Sequence, residues 1–114
     1  MLFRSLNWTW YLLSQHPEAE ARLHAELDAA PEWTDPTLAQ METLPYAQQV
    51  VNEALRLYPP GWLLSRRTVE ADVLGGYPVA PKTNVLLPLY LLHRHPRYWK
   101  DPERFWAERS GSFQ

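Results

Sequence analysis

The chain has 114 residues, six Trp, no Cys and a formal net charge of −2. That length allows one domain or part of one, and the charge gives no electrostatic reason to expect nucleic acid or an anionic membrane as partner. Without cysteine, disulfides, thiolate catalysis and cysteine-ligated metals are excluded within these residues. The apolar fraction of 46% argues for a buried core rather than disorder. Six Trp are more than a small domain readily hides, so some are expected to face a partner surface.

From Leu2 to Ser14, the residues Leu2, Phe3, Leu6, Trp10 and Leu13 recur at three- and four-residue steps, widened by Trp8 and Leu12, and predict an amphipathic helix. This opening carries Arg4 and Asn7, is too short to cross a bilayer, and has no small-residue cleavage site before Gln15-His16-Pro17. No membrane span or secretory signal is read, and a cytoplasmic location is expected. Pro17 suits a first helical position, with Glu18 and Glu20 at the positive end of the dipole, so a second helix is expected from Pro17 to Ala29. Glu18 and Arg22 are expected to pair on its wetter face, and Pro31 to end it. The mostly polar stretch from Glu32 to Thr43 predicts a loop with a short helix from Pro36 to Met41.

A third helix is expected from Pro45 to Tyr58, stopped by Pro59-Pro60. Val50, Val51, Ala54, Leu55, Leu57 and Tyr58 are assigned to its apolar face, and Asn52, Glu53 and Arg56 to the other. Val73 to Val79 reads as a hairpin turning at Gly75-Gly76, and Asn84 to Leu89 as a further strand. Pro78, Pro81 and Pro88 confine these strands to edges or interruptions. From His93 onward, proline and aromatic residues predict irregular structure with one short helix. The fold class expected is mainly α with a small β hairpin or sheet.

His93 and His95, with His16 or His24, could be imagined as metal ligands, but no supporting acidic or cysteine spacing accompanies them. Capping, packing or surface roles are expected, and no metal site. Glu53 and Arg56 stand three apart on one helix, close enough for a charge-assisted pair. Alone, that spacing is common on solvated helices.

Its context is more specific. Val50-Val51-Asn52-Glu53-Ala54-Leu55-Arg56-Leu57-Tyr58-Pro59-Pro60 resembles the K-helix of cytochrome P450 enzymes, and the resemblance extends from Asn7 to Arg109. Residues 1–14 resemble the end of the family's I-helix, 17–30 its J-helix, 45–58 its K-helix, 67–89 a β segment and 93–110 its meander region. The chain would thus be a partial cytochrome P450 domain. The resemblance implies a structural triad of Glu53, Arg56 and a meander arginine. Counting from Pro102-x-x-Phe105, that arginine is Arg109, with Arg104 as the alternative; Ala107 and Ser110 stand where the family usually has Pro and Phe. Arg66 matches the basic residue that pairs a haem propionate, with Arg67 as a substitute. Gly61 and Leu63 match positions where the loop passes haem and touches substrate. A plain turn and an edge-strand arginine are the simpler reading of the same residues.

In the family, oxygen is split on a haem iron held by a cysteine thiolate. That ligand lies downstream of the meander, and the residues that deliver protons to oxygen lie in the middle of the I-helix. The expectation is therefore a fragment, inactive alone, of a monooxygenase that takes O2, an apolar substrate and electrons from a reductase or ferredoxin. Two alternatives are a complement to a separate C-terminal piece, which would rebuild a haem protein, and an independent helical interaction module.

Overall fold

The computed structural model describes residues 2–30 and 37–112. The chain runs α1 (Leu2–Gln15), α2 (Pro17–Ala29), α3 (Leu38–Met41), α4 (Pro45–Leu57), β1 (Leu64–Arg67), β2 (Asp72–Leu74), β3 (Tyr77–Val79), β4 (Asn84–Leu87), α5 (Leu89–Leu92) and a closing 3-10 helix (Ala107–Ser112). It is mostly helical with small antiparallel sheets, the fold class the sequence predicts. The expected stop at Pro31 and the expected helix start at Pro36 lie outside the described residues.

α4 is the hub, packing against α1, α2 and the 3-10 helix. Its start uses a proline at the first helical positions, and its N-cap, Leu44, has no side-chain acceptor to offer. Glu26 of α2 fills that role from 20 residues away. Its two carboxylate oxygens accept the backbone N–H groups of Tyr46 and Ala47, each at 2.8 Å. A carboxylate here satisfies two orphan donors and sits against the positive end of the helix dipole. α2 and α4 are thereby joined at one end by charge and along their length by packing.

The core gathers Leu12 and Leu13 of α1, Ala19 of α2, Tyr46, Val50, Ala54 and Leu57 of α4, and Phe105 and Ala107 beyond. Two faces differ from the sequence reading. On α1 the buried residues are Thr9, Leu12 and Leu13, while Phe3, Leu6 and Trp10 of the expected stripe are exposed. On α4, Glu53 and Arg56 lie on the buried side with Val50 and Leu57, and Val51 faces outward. Periodicity assigns charge to solvent; here a third charged residue outside the helix makes burial of the first two possible.

The β segment starts at Leu64, three residues before the expected 67. β1 pairs antiparallel with β4, with Arg66 opposite Val85 and Arg67 opposite Asn84. β2 and β3 form the predicted hairpin, with Gly75 at φ +58° and Gly76 at φ +87°. Two consecutive positive φ values give the turn whose twist suits a hairpin, and they explain the glycine pair. The strand expected from Asn84 to Leu89 ends at Leu87, because Pro88 cannot donate to the ladder and instead precedes α5. The radius of gyration is 18.3 Å, against about 13 Å for a compact chain of this length. The strands are not folded back over the helical core. No helix among the described residues is long and apolar enough to cross a membrane.

Candidate functional site

At the centre of the helical half, Glu53 is 1% exposed, Arg56 5% and Arg109 5%. Arg56 grips the carboxylate with two parallel bonds, Nε to Oε2 at 2.8 Å and Nη2 to Oε1 at 2.9 Å. Arg109, 56 residues on, donates Nε to Oε1 at 3.2 Å. The Trp106 backbone N–H adds a bond to the same oxygen at 3.1 Å. One carboxylate between two guanidiniums leaves one excess positive charge in a dry site, which needs further acceptors.

Those acceptors are backbone carbonyls of the irregular segment between α5 and the 3-10 helix. Arg56 donates Nη1 to the carbonyls of His93 at 2.7 Å and Pro102 at 2.8 Å, and Nη2 to that of Arg104 at 3.3 Å. Arg109 donates Nη1 to the Lys100 carbonyl, and Nη2 to those of Asp101 at 3.1 Å and Arg104 at 3.4 Å. A segment without a regular ladder must satisfy its buried carbonyls elsewhere. Two arginines do this for five carbonyls, and the Trp99 and Trp106 rings lie within 5.1 Å and 5.3 Å of their guanidinium carbons. With its donors so engaged, the cluster is built to hold chain segments together rather than to make or break bonds.

Of the two arginines weighed for the third place, the structure brings Arg109 to Glu53; Arg104 is exposed and contributes its carbonyl. The sequence reading missed the five carbonyls and the Trp106 N–H. Their only trace in sequence is the proline and aromatic punctuation of residues 93–109, a sign of irregular backbone.

Arg66 and Arg67 both lie on β1 and are exposed. Adjacent strand residues point to opposite faces, so the two cannot serve one ligand equally. Arg67 is turned back to its own sheet, with Nε donating to the Lys82 carbonyl at 3.2 Å; Arg66 donates Nη1 to its neighbour Ser65 at 2.9 Å. Gly61 and Leu63 sit in the half-buried loop between α4 and β1, away from the Glu53 cluster in sequence and separated from it by the end of α4. The expected Glu18–Arg22 pair is replaced by Arg22 reaching Glu108 of the 3-10 helix. Arg22 also lies 4.3 Å over the Tyr46 ring. Burial, helped by Glu108, raises the Tyr46 phenol above its ordinary range, with Arg22 opposing.

Three of the four histidines hydrogen-bond the backbone. His16 and His93 ring nitrogens bond the carbonyls of Leu12 at 2.8 Å and Arg56 at 3.2 Å, and that of His95 accepts the Arg97 N–H at 3.2 Å. Among the described residues no group of three potential ligands could hold a metal ion.

A family model described as Cytochrome P450 matches residues 4–110. This chain belongs to the cytochrome P450 family. Cyclooctatin synthase of Streptomyces melanosporofaciens is 44% identical to it over 105 residues, which are 92% of this chain and 23% of that protein. LUTEIN DEFICIENT 5, a chloroplastic protein of Arabidopsis thaliana, is 40% identical over 104 residues, 91% of this chain and 18% of that protein. Among solved structures, a zebra fish cytochrome P450 with progesterone superposes at a TM-score of 0.86 with 32% identity, over 93% of this chain and 26% of that one. The P450 chain thus spans roughly a quarter or less of the length of these relatives.

Proposed function

We propose that these residues form the scaffold segment of a haem-thiolate monooxygenase that oxidises an apolar substrate with O2 and electrons from a reductase or ferredoxin. The observation that carries this reading is the buried Glu53 carboxylate shared by Arg56 and Arg109. In this reading α1, α2 and α4 are the I-helix end, the J-helix and the K-helix, and residues 93–110 the meander. The triad fixes the meander to the K-helix, and so steadies the neighbourhood in which haem is held.

When bound, haem supplies the iron that activates oxygen. The donor set here fits one part of that group. Arg66 presents an exposed planar guanidinium on β1, suited to a propionate carboxylate. The 114 residues contain no cysteine, so they offer the iron no thiolate, and the chain alone is inactive in this proposal. Gly61 and Leu63 would stand where the loop passes haem and touches substrate. A separate C-terminal piece carrying the cysteine would supply the thiolate, and a cytoplasmic location belongs to the same reading.

An independent helical interaction module is the alternative. Trp10 at 65% and Trp62 at 61% exposed weigh against it, since a self-sufficient domain would cover more of its aromatic surface. The test is the reduced carbon-monoxide spectrum of the purified chain mixed with haem. No thiolate-type band is expected from the chain alone, and restoration of that band is expected when the upstream part of the fold and a cysteine-bearing C-terminal piece are supplied together. A thiolate-type band from the chain alone, or none after complementation by upstream and C-terminal pieces that bind it, would contradict the proposal.

A further inference from the structure

The loop that leaves α4 is held at its start by a ring stack and near its end by a backbone hydrogen bond. Tyr58, at its start, stacks on Trp8 of α1 with ring centroids 4.0 Å apart and planes 9° from parallel. Near its end, the Trp62 carbonyl accepts the backbone N–H of Tyr90 in α5 at 3.2 Å. One cation is common to both tyrosines. The Arg94 guanidinium carbon lies 3.9 Å from the Tyr90 ring centroid and 5.7 Å from that of Tyr58.

Arg94 is a poor ion-pair residue in other respects. Its side chain is 10% exposed, yet its carboxylate partner Glu103, bonded to Nε at 3.0 Å, is 73% exposed. Its Nη1 is buried with no hydrogen-bond partner among the described residues. A buried donor left without an acceptor is costly, so the ion pair alone does not account for the burial. The two ring faces do, because a weakly hydrated planar cation gains most from aromatic contact where water is excluded.

We propose that Arg94 is a positioning residue that clamps residues 58–63 through Tyr58 and Tyr90, and thereby sets where Gly61 and Leu63 stand. That these two residues meet an apolar substrate rests on the function proposed above; the clamp does not. It predicts a substrate-selecting loop whose shape is governed from outside the pocket, by a residue that touches no substrate.

Amide hydrogen exchange of the full chain, read by mass spectrometry, tests it without haem. Arg94→Met keeps the bulk and removes the cation, and exchange at Tyr90, whose N–H the Trp62 carbonyl holds, and within 61–64 should rise about tenfold while the β2–β3 hairpin and α2 stay unchanged. Arg94→Lys should recover part of the protection. Glu103→Gln, which leaves the stacked cation in place, should keep it. Should Arg94→Met unfold, Tyr90→Leu removes one ring while retaining the Arg94–Glu103 pair, and should loosen the same residues. An even rise across the chain, no rise at Tyr90 and 61–64, or an equal rise in Glu103→Gln overturns the clamp. None of these outcomes bears on the carbon-monoxide spectrum, so failure of the clamp and failure of the monooxygenase reading are distinguishable.

Discussion

The helical half and the strand half of this chain are ordered by different means. Among the described residues, every residue of the buried core comes from α1, α2, α4 or the segment from Phe105 to Ala107, and none from a strand. The four strands are paired two by two and their residues are mostly exposed. The first half is held by burial of apolar side chains and of one charged cluster. The second is held by backbone pairing and turn chemistry, which alone give only marginal stability. Where a chain concentrates its long-range contacts decides which of its parts a substitution can damage.

The largest expected effect is at the charge cluster. Glu53→Ala leaves two guanidiniums buried without their carboxylate and should destabilise the helical half by ~3–5 kcal/mol, enough to release residues 93–109. Limited proteolysis should then cut that segment first, while exchange in the β2–β3 hairpin stays as it was. Equal loosening of both halves would erase the distinction between them. Leu13→Ala, at a site 2% exposed, should cost ~2–4 kcal/mol in the urea midpoint by the cavity it leaves. The same truncation at Leu86, 58% exposed, should shift the midpoint little.

How much of this was readable beforehand differs residue by residue. The hairpin was legible because Gly75-Gly76 carries a local signal, two positive φ values, that needs no partner. The helix from Pro45 was legible from its prolines and spacing. Which way it faced was not: hydrophobic periodicity placed Glu53 outside, and only Arg109, 56 residues away, makes its burial tolerable. The triad could be named from the family resemblance of the α4 sequence and, for Arg109, of Pro102-x-x-Phe105, whereas the carbonyls of residues 93–104 that complete it carry no side-chain signature. The switch of Arg22 from Glu18 to Glu108, and the capping of α4 by Glu26, are tertiary choices among chemically equal partners.

Two smaller effects sharpen the comparison from opposite sides. Glu26→Ala removes the acceptor for two N–H groups at the start of α4 and should cost about 1–2 kcal/mol, seen as a lower midpoint of the helical signal alone. Gly76→Ala forces a side chain into φ +87°, although no atom stands in its way. Its cost is conformational, about 1 kcal/mol, and should appear as faster exchange in β2 and β3 with the helical midpoint unchanged.

The buried cluster itself is tested most directly by a double-mutant cycle between Glu53 and Arg109. Stabilities of Glu53→Gln, Arg109→Gln and the double variant, measured by urea unfolding of the helical signal, give the coupling between two residues 56 positions apart. A coupling above ~2 kcal/mol, with the double variant little worse than either single, is the result expected of a desolvated network. A coupling below ~0.5 kcal/mol, the range of exposed ion pairs, would contradict it and reduce the cluster to a surface contact.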